Sequence, residues 1–174
     1  DKEELIDLNV GAIILAVGFE QLDASNFKEF GYGRYPNVIT ALQFERIMNS
    51  SGPFLGHIQR LSDGKKPEKI AFIQCVGSRT KERNYCSSVC CMQATKESIM
   101  IKEHIPEIDV TLFYMDIRAY GKEFEQYYKR AKDKYKIRYI RSIPPSAPIS
   151  KAFNIYIVSN FPAQGSLIIL TFGE

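Results

Sequence analysis

Every cysteine of this 174-residue chain falls inside one stretch of 17 positions, CVGSRTKERNYCSSVCC, running from Cys75 to Cys91. Cys75, Cys86, Cys90 and Cys91 have the spacing C-x10-C-x3-C-C. Thiolates bind soft metals and exchange disulfides, so four of them this close together point to metal or redox chemistry. Structural zinc usually takes two knuckles of paired ligands, each pair roughly two to four residues apart, and neither knuckle is present. On a helix Cys86 and Cys90 would share a face, whereas Cys91 is turned about 100° from Cys90. Bringing both neighbours to one tetrahedral ion would strain that helix. A [4Fe-4S] cluster offers a separate iron to each thiolate. The spacing favours the cluster and leaves zinc, thiol redox chemistry and plain burial as alternatives. Disulfides fit poorly: a domain of this length builds a core without staples, and Cys90–Cys91 would close only a strained vicinal bridge.

The elements that must position these thiols follow from hydrophobic pattern. Ile70–Cys75 (IAFIQC) reads as a strand, followed by the cysteine loop and a helix near Ser87–His104. Val110–Met115 reads as a second strand and Ile137–Ile140 as a third. Between them Lys122–Lys136 places Phe124, Tyr127, Tyr128, Ala131 and Tyr135 at helical spacing. The order β-α-β-α-β predicts half of a doubly wound, Rossmann-like parallel sheet, in which ligands sit beyond the carboxyl ends of the strands. Cys75 ends the first strand and the other three cysteines open the next helix, so all four converge there. A G-x-G-x-x-G loop is missing, since Gly77 is the one glycine after the strand, and nicotinamide binding is not expected. The helix N-terminus, with Arg79, Lys81 and Arg83, suits an anionic centre and is expected to raise its potential. Backbone N–H groups of Gly77–Arg79 are candidate donors to sulfur.

Upstream, Val10–Val17 reads as a buried strand ended by Gly18, and GYGRYPN (Gly31–Asn37) as a loop. A short helix is expected over Thr40–Asn49, with Thr40 as N-cap and Leu42, Ile47 and Met48 as its apolar face. Ser62–Lys69 is a polar connection, dividing the chain into 1–61, 62–69 and 70–174. Downstream, strands at Phe153–Ser159 and Ser166–Phe172, joined by NFPAQG, suggest a small antiparallel β-hairpin or meander within 153–172.

Bulk properties restrict the function classes. A chain 45% apolar and 25% charged, with mean hydropathy −0.20, reads as a soluble globular protein. Its longest apolar run, around Gly11–Val17, is too short to span a bilayer, and an acidic opening is not a signal peptide. A net charge of +3 does not argue for nucleic acid. Clustered free thiols predict a reducing, cytoplasmic setting. The absence of an initial Met, with a buried-type strand almost at once, points to a piece of a longer polypeptide. Between Lys129 and Arg141 stand seven basic residues against one acid, Asp133, which is either a solvated face or a docking face for an acidic electron carrier. Asp116 and Arg118, just past the second strand, would cap the following helix or contact a ribose. His57 and His104 pair with no cysteine for nucleophilic catalysis, and no catalytic residue is assigned.

The runs GYGRYPNVITALQFERIMNSSGP, IAFIQCVGSR, YCSSVCCMQA and FYMDIRAYGKEFEQYYKRA resemble the A subunit of heterodisulfide reductase, an iron-sulfur flavoprotein family with a thioredoxin-reductase-like core. The resemblance covers roughly residues 8–141. It implies that 1–61 is the end of an FAD domain and that 70–174 is a nicotinamide-domain-like unit. It also implies a [4Fe-4S] cluster on Cys75, Cys86, Cys90 and Cys91. Flavin contacts would come from Ala16, Gly18, Gly33, Arg34 and Tyr35. The implied role is electron relay between FAD and the cluster, inside an oxidoreductase complex with other heterodisulfide reductase subunits. Ferredoxin and a hydrogenase-linked subunit would be its electron carriers. Two departures stand out. The usual ATG is AVG here (Ala16–Gly18), and the glycine-rich flavin motif is absent, so this stretch alone would not hold FAD tightly or be catalytically competent. The competing expectation is a zinc-stabilised structural or interaction module without redox activity.

Overall fold

The computed structural model describes residues 3–18, 20–142 and 166–172. Two single-turn 3-10 helices, Ala24–Asn26 and Lys28–Phe30, precede strand β1 (Val38–Thr40) and helix α1 (Ala41–Met48). Next come β2 (Lys69–Val76), α2 (Cys90–His104), β3 (Asp109–Tyr114), α3 (Phe124–Asp133) and β4 (Arg138–Arg141). The last described strand is β5 (Ser166–Phe172). The strands lie in the order β1-β5-β2-β3-β4, and every pairing is parallel. This is the α/β, Rossmann-like class that the alternation predicts.

Strand β2 is buried from Ile70 to Val76 because strands flank it on both edges and side chains cover both faces. That environment selects a continuous apolar run rather than an alternating one. On one face Ile70 and Phe72 join Phe44, Ile101, Leu112 and Ala131 in the main core, where Phe44 meets Phe72 edge-on at 6.0 Å. On the other, Ile73 packs with Phe30 and Val38 in a smaller core. Strict alternation would return Val76 to the face of Phe72, yet Val76 packs with Ile73. The register shifts between Ile73 and Val76, and Cys75 inside that shift has a left-handed backbone, φ 60°. Such an irregularity re-aims the residues that follow a strand.

Helix α1 starts where expected. Thr40 Oγ1 accepts from the Gln43 N–H and Gln43 Oε1 accepts from the Thr40 N–H, a reciprocal capping box. Its buried residues are Ala41, Phe44, Ile47 and Met48, whereas the expected Leu42 is exposed. Helix α2 begins at Cys90 rather than near Ser87, so Cys86 lies outside it and its helical face relation to Cys90 does not arise.

Two expectations from the apolar runs are corrected. Val10–Val17 forms no strand and is exposed throughout, Ile14 at 90% and Val17 at 91%. A continuously apolar strand needs partners on both edges and cover on both faces, and the described residues provide it with neither. Ser166–Phe172 is a strand but not the arm of an antiparallel pair, because it lies parallel between β1 and β2. Its unbroken run SLIILTF is the pattern of an interior parallel strand. The proposed first arm, Phe153–Ser159, lies outside the described residues.

Candidate metal centre

Cys75 is the penultimate residue of β2, Cys86 lies in the loop that follows, and Cys90 and Cys91 open α2, where Cys91 meets Asp116 just past β3. Left-handed residues recur in the loop that carries them: Cys75, Gly77 (φ 74°), Arg79 (φ 58°) and Ser88 (φ 66°). Outside glycine such conformations cost of order 1–3 kcal/mol each and concentrate at functional loops. Gly77 is required for a second reason, since a Cβ there would lie 2.3 Å from Phe27 Cζ. Helix α2 opens on Cys90 and Cys91, and Val89 before them provides no side-chain cap. The positive end of the helix therefore faces the thiols.

Polar contacts tie three of the sulfurs to their surroundings. The Ser88 N–H donates to Cys86 Sγ at 3.4 Å, and Ser87 Oγ lies 2.5 Å from Cys90 Sγ. Cys91 Sγ sits 3.6 Å from the Asp116 carbonyl oxygen, and the backbone N–H of Arg118 also reaches it. Burial pushes the Cys75 thiol up to about 11; Cys91, Cys86 and Cys90 push the same way and Arg79 opposes them. The Cys91 thiol is raised too, again chiefly by burial. The four thiols are thus within electrostatic reach of one another. None is in a disulfide. Among the described residues no three His, Cys, Asp or Glu side chains stand close enough to share one metal ion.

Two of the expected donors to sulfur, the N–H groups of Ser78 and Arg79, are engaged elsewhere. The Ser78 N–H donates to the Cys75 carbonyl and the Arg79 N–H to the Tyr85 carbonyl, both at 3.2 Å. Ser88 and Arg118 supply N–H groups instead. Two buried side chains close to Cys75 in sequence lack hydrogen-bond partners, Arg79 at Nη1 and Gln74 at both Nε2 and Oε1. An orphaned buried donor costs about 1–3 kcal/mol. A sulfur-rich anionic group on the thiols would offer an acceptor to Arg79, whose charge bears on Cys75, so the residues present fit an iron-sulfur centre. Gln74 was detectable in the sequence as the polar residue within IAFIQCV.

The remaining predicted residues lie elsewhere. Ala16 and Gly18 belong to the exposed N-terminal segment. Gly33 and Arg34 are exposed on the 31–37 turn, with the Arg34 guanidinium 5.2 Å from the centroid of the half-buried Tyr35 ring. Asp116 caps no helix: its carboxylate accepts from Arg79 Nη2 at 2.7 Å and Arg141 Nη2 at 3.2 Å. The seven basic residues from Lys129 to Arg141 are all exposed, with Arg130 over Tyr127 and Lys134 over Tyr135.

A cavity of about 900 Å³ opens beside the thiols, bordered by Cys90, Gln93, Lys96, Glu45, Tyr120 and Phe124. Lys96 Nζ lies 3.7 Å from Glu45 Oε1 at its edge. Helices α1, α2 and α3 all contribute, so no single stretch of sequence announces it. None of Ala16, Gly18, Gly33, Arg34 and Tyr35 lines it.

No family model matches the chain. Individual proteins do. The chain is 51% identical over 147 residues to the second iron-sulfur A subunit of CoB–CoM heterodisulfide reductase in Methanopyrus kandleri, covering 83% of this chain and 22% of that protein. It is 50% identical over 147 residues, with the same coverage, to the A subunit of the H2:CoB-CoM heterodisulfide,ferredoxin reductase of Methanothermobacter marburgensis. With the A subunit of the ferredoxin/F420H2-dependent CoB-CoM heterodisulfide reductase of Methanosarcina acetivorans, identity is 51% over 134 residues, 76% of this chain and 17% of the relative. The chain spans about a fifth of the length of these curated relatives. Among the described residues no helix is long and apolar enough to cross a membrane.

Proposed function

The chain belongs to the A-subunit family of heterodisulfide reductases, a family of oxidoreductase components, and from that premise we propose that it is the electron-relay portion of one such protein. In this reading Cys75, Cys86, Cys90 and Cys91 hold a [4Fe-4S] cluster that exchanges electrons with FAD in the full-length protein. The observation that carries it is the set of Cys86, Cys90 and Cys91 at the uncapped N-terminus of α2, within electrostatic reach of Cys75 and of Arg79, whose buried Nη1 has no partner. When bound, the cluster supplies one-electron transfer. The chain's own residues bind and tune it. Four thiolates ligate the irons, Ser88 and Arg118 present N–H groups to sulfur, and burial of Cys75 and Cys91 keeps water from two ligands.

The cavity bordered by Cys90 supports a flavin ring beside one ligand, with Tyr120 and Phe124 as flat walls. Ala16, Gly18, Gly33, Arg34 and Tyr35 remain the proposed contacts for other parts of FAD; left-handed backbone at Gly18 and Gly33 and the Arg34–Tyr35 stack support that role. The assignment of 1–61 to a flavin part and 70–174 to a cluster part belongs to the same proposal, the two meeting in one sheet through the β1–β5 pairing and in one core through Phe44 and Phe72. A cytoplasmic complex with further subunits, ferredoxin and a hydrogenase-linked electron source belongs to it as well. Two of the relatives carry ferredoxin in their names. The test is metal content and EPR on protein purified without oxygen. About four irons per chain and a dithionite-reduced signal lost in Cys90→Ser support the relay. One zinc per chain and no iron would overturn it.

A further inference from the structure

Arg79 is the cation of the cysteine loop that the fold pins down. Lys81 and Arg83, which share the loop, are exposed. The Arg79 side chain is 22% exposed and bears electrostatically on Cys75. Its Nη2 donates to Asp116 Oδ2 at 2.7 Å, while Nη1 is buried with no partner. Asp116 is in turn anchored from two further directions. Its Oδ1 accepts from Arg141 Nη2 at 3.2 Å on the edge strand β4, and its backbone oxygen lies 3.6 Å from Cys91 Sγ. Arg141 itself is oriented by Nε donating to the Met115 carbonyl at 3.0 Å. One carboxylate thus fixes a guanidinium against the thiol at the end of β2, bridging positions 37 residues apart.

We propose that Arg79 sets the reduction potential of the centre held by the four cysteines, and that Asp116 is the positioning residue that holds Arg79 in place. The proposal rests on the iron-sulfur reading above. Uptake of one electron adds a negative charge to the site with no bond made or broken, so a fixed positive charge nearby favours the reduced form and raises the potential. A guanidinium with one nitrogen clamped and another buried without a partner is placed to do this, and to donate to sulfur as well. Exposed lysines are screened by water and salt and contribute little.

The clamp has a sign that separates it from simple charge counting. Removing the Asp116 carboxylate deletes a negative charge, which by itself would raise the potential. If Asp116 acts by positioning Arg79, the Asp116→Ala variant releases the guanidinium and the potential falls, as it does in Arg79→Gln. The measurement is an EPR-monitored redox titration of the full-length protein purified without oxygen. Arg79→Gln, Asp116→Ala and Arg79→Lys are compared with Lys81→Gln, and iron is assayed in each. At the wild-type midpoint, Arg79→Gln and Asp116→Ala should lower the reduced-to-oxidised ratio about tenfold, equal to 59 mV for a one-electron couple. Arg79→Lys, which keeps the charge but loses the fork, should fall between them and wild type, and Lys81→Gln should change the ratio by less than about twofold. With iron retained, an unmoved midpoint in Arg79→Gln or a raised one in Asp116→Ala overturns the proposal alone. Loss of iron from all three Arg79 and Asp116 variants, with the fold intact, would make both residues supports of the ligands and also overturn it. Wild-type protein without iron would instead defeat the iron-sulfur reading itself, and this proposal with it.

Discussion

Two mostly apolar runs of nearly the same length, each with two isoleucines and a valine, meet opposite fates in this molecule. GAIILAV, Gly11–Val17, lies outside any helix or strand and open to solvent, with Leu15 at 83% exposure. KIAFIQCV, Lys69–Val76, is the middle of a five-stranded sheet, and its Ala71, Phe72 and Val76 are fully buried. Both have the β-branched, aliphatic character that suits strands. What separates them is company: β2 has β3 and β5 on its edges and side chains from both cores on its faces, and the first run has no strand partner among the described residues. Strand propensity is a readiness to be covered; the cover comes from elsewhere.

The contrast can be tested from its strongest end. Phe72→Ala empties a site at 0% exposure against the Phe44 ring and should cost about 3–5 kcal/mol in urea unfolding; a cost below 1 kcal/mol would mean that the β2 core is not packed as described. Glu97, at 1% exposure on α2, probes the same covered region through charge. Burial, with Glu45 adding to it, pushes its carboxyl from 4.5 up to about 8, and its Oε2 has no partner. The folded state therefore holds this proton more tightly than the unfolded chain. Its contribution to stability is fully present below pH 4.5 and is lost as pH rises through about 8. The slope approaches 1.4 kcal/mol per pH unit, roughly, inside that window. In Glu97→Gln that slope should vanish, and a wild-type-minus-variant difference independent of pH would show the carboxyl to be hydrated. The smallest effect belongs to the uncovered run. Ile14→Ala in this chain should change stability by less than about 0.5 kcal/mol, and the amides of residues 12–17 should exchange with solvent far faster than those of β2. A cost above about 1 kcal/mol would break the comparison by revealing cover for that segment.

The cysteine site was legible to different depths. Its ligand-type residues and its place at a strand end are local facts, carried by C-x10-C-x3-C-C and by a strand-loop-helix pattern within one 36-residue stretch, Lys69 to His104. The same is true of α1, whose Thr40–Gln43 capping box is written in four consecutive positions. The start of α2 was misplaced because its N-cap is Val89, which has no capping side chain, whereas the serines before it, Ser87 and Ser88, are capping types. Expected sulfur donors were misassigned for a related reason: the N–H groups of Ser78 and Arg79 close turns within their own loop, which spacing does not show. Asp116 reads as a helix cap until β3 brings it against Arg79.

What the sequence by itself determined is therefore whatever neighbours along the chain can decide: the βαβαβ order, the helix cap, the gathering of thiols and the identity of a polar residue inside an apolar strand. Hydrogen-bonding periodicity and side-chain alternation act over a few residues, so they are visible in one dimension. Only the tertiary structure decided that β5 enters parallel between β1 and β2, that Val10–Val17 is left uncovered, and that a carboxylate from the end of β3 clamps the arginine beside Cys75. Those outcomes depend on which surfaces meet in space. A local pattern records what a residue needs, and the fold settles which distant residue supplies it.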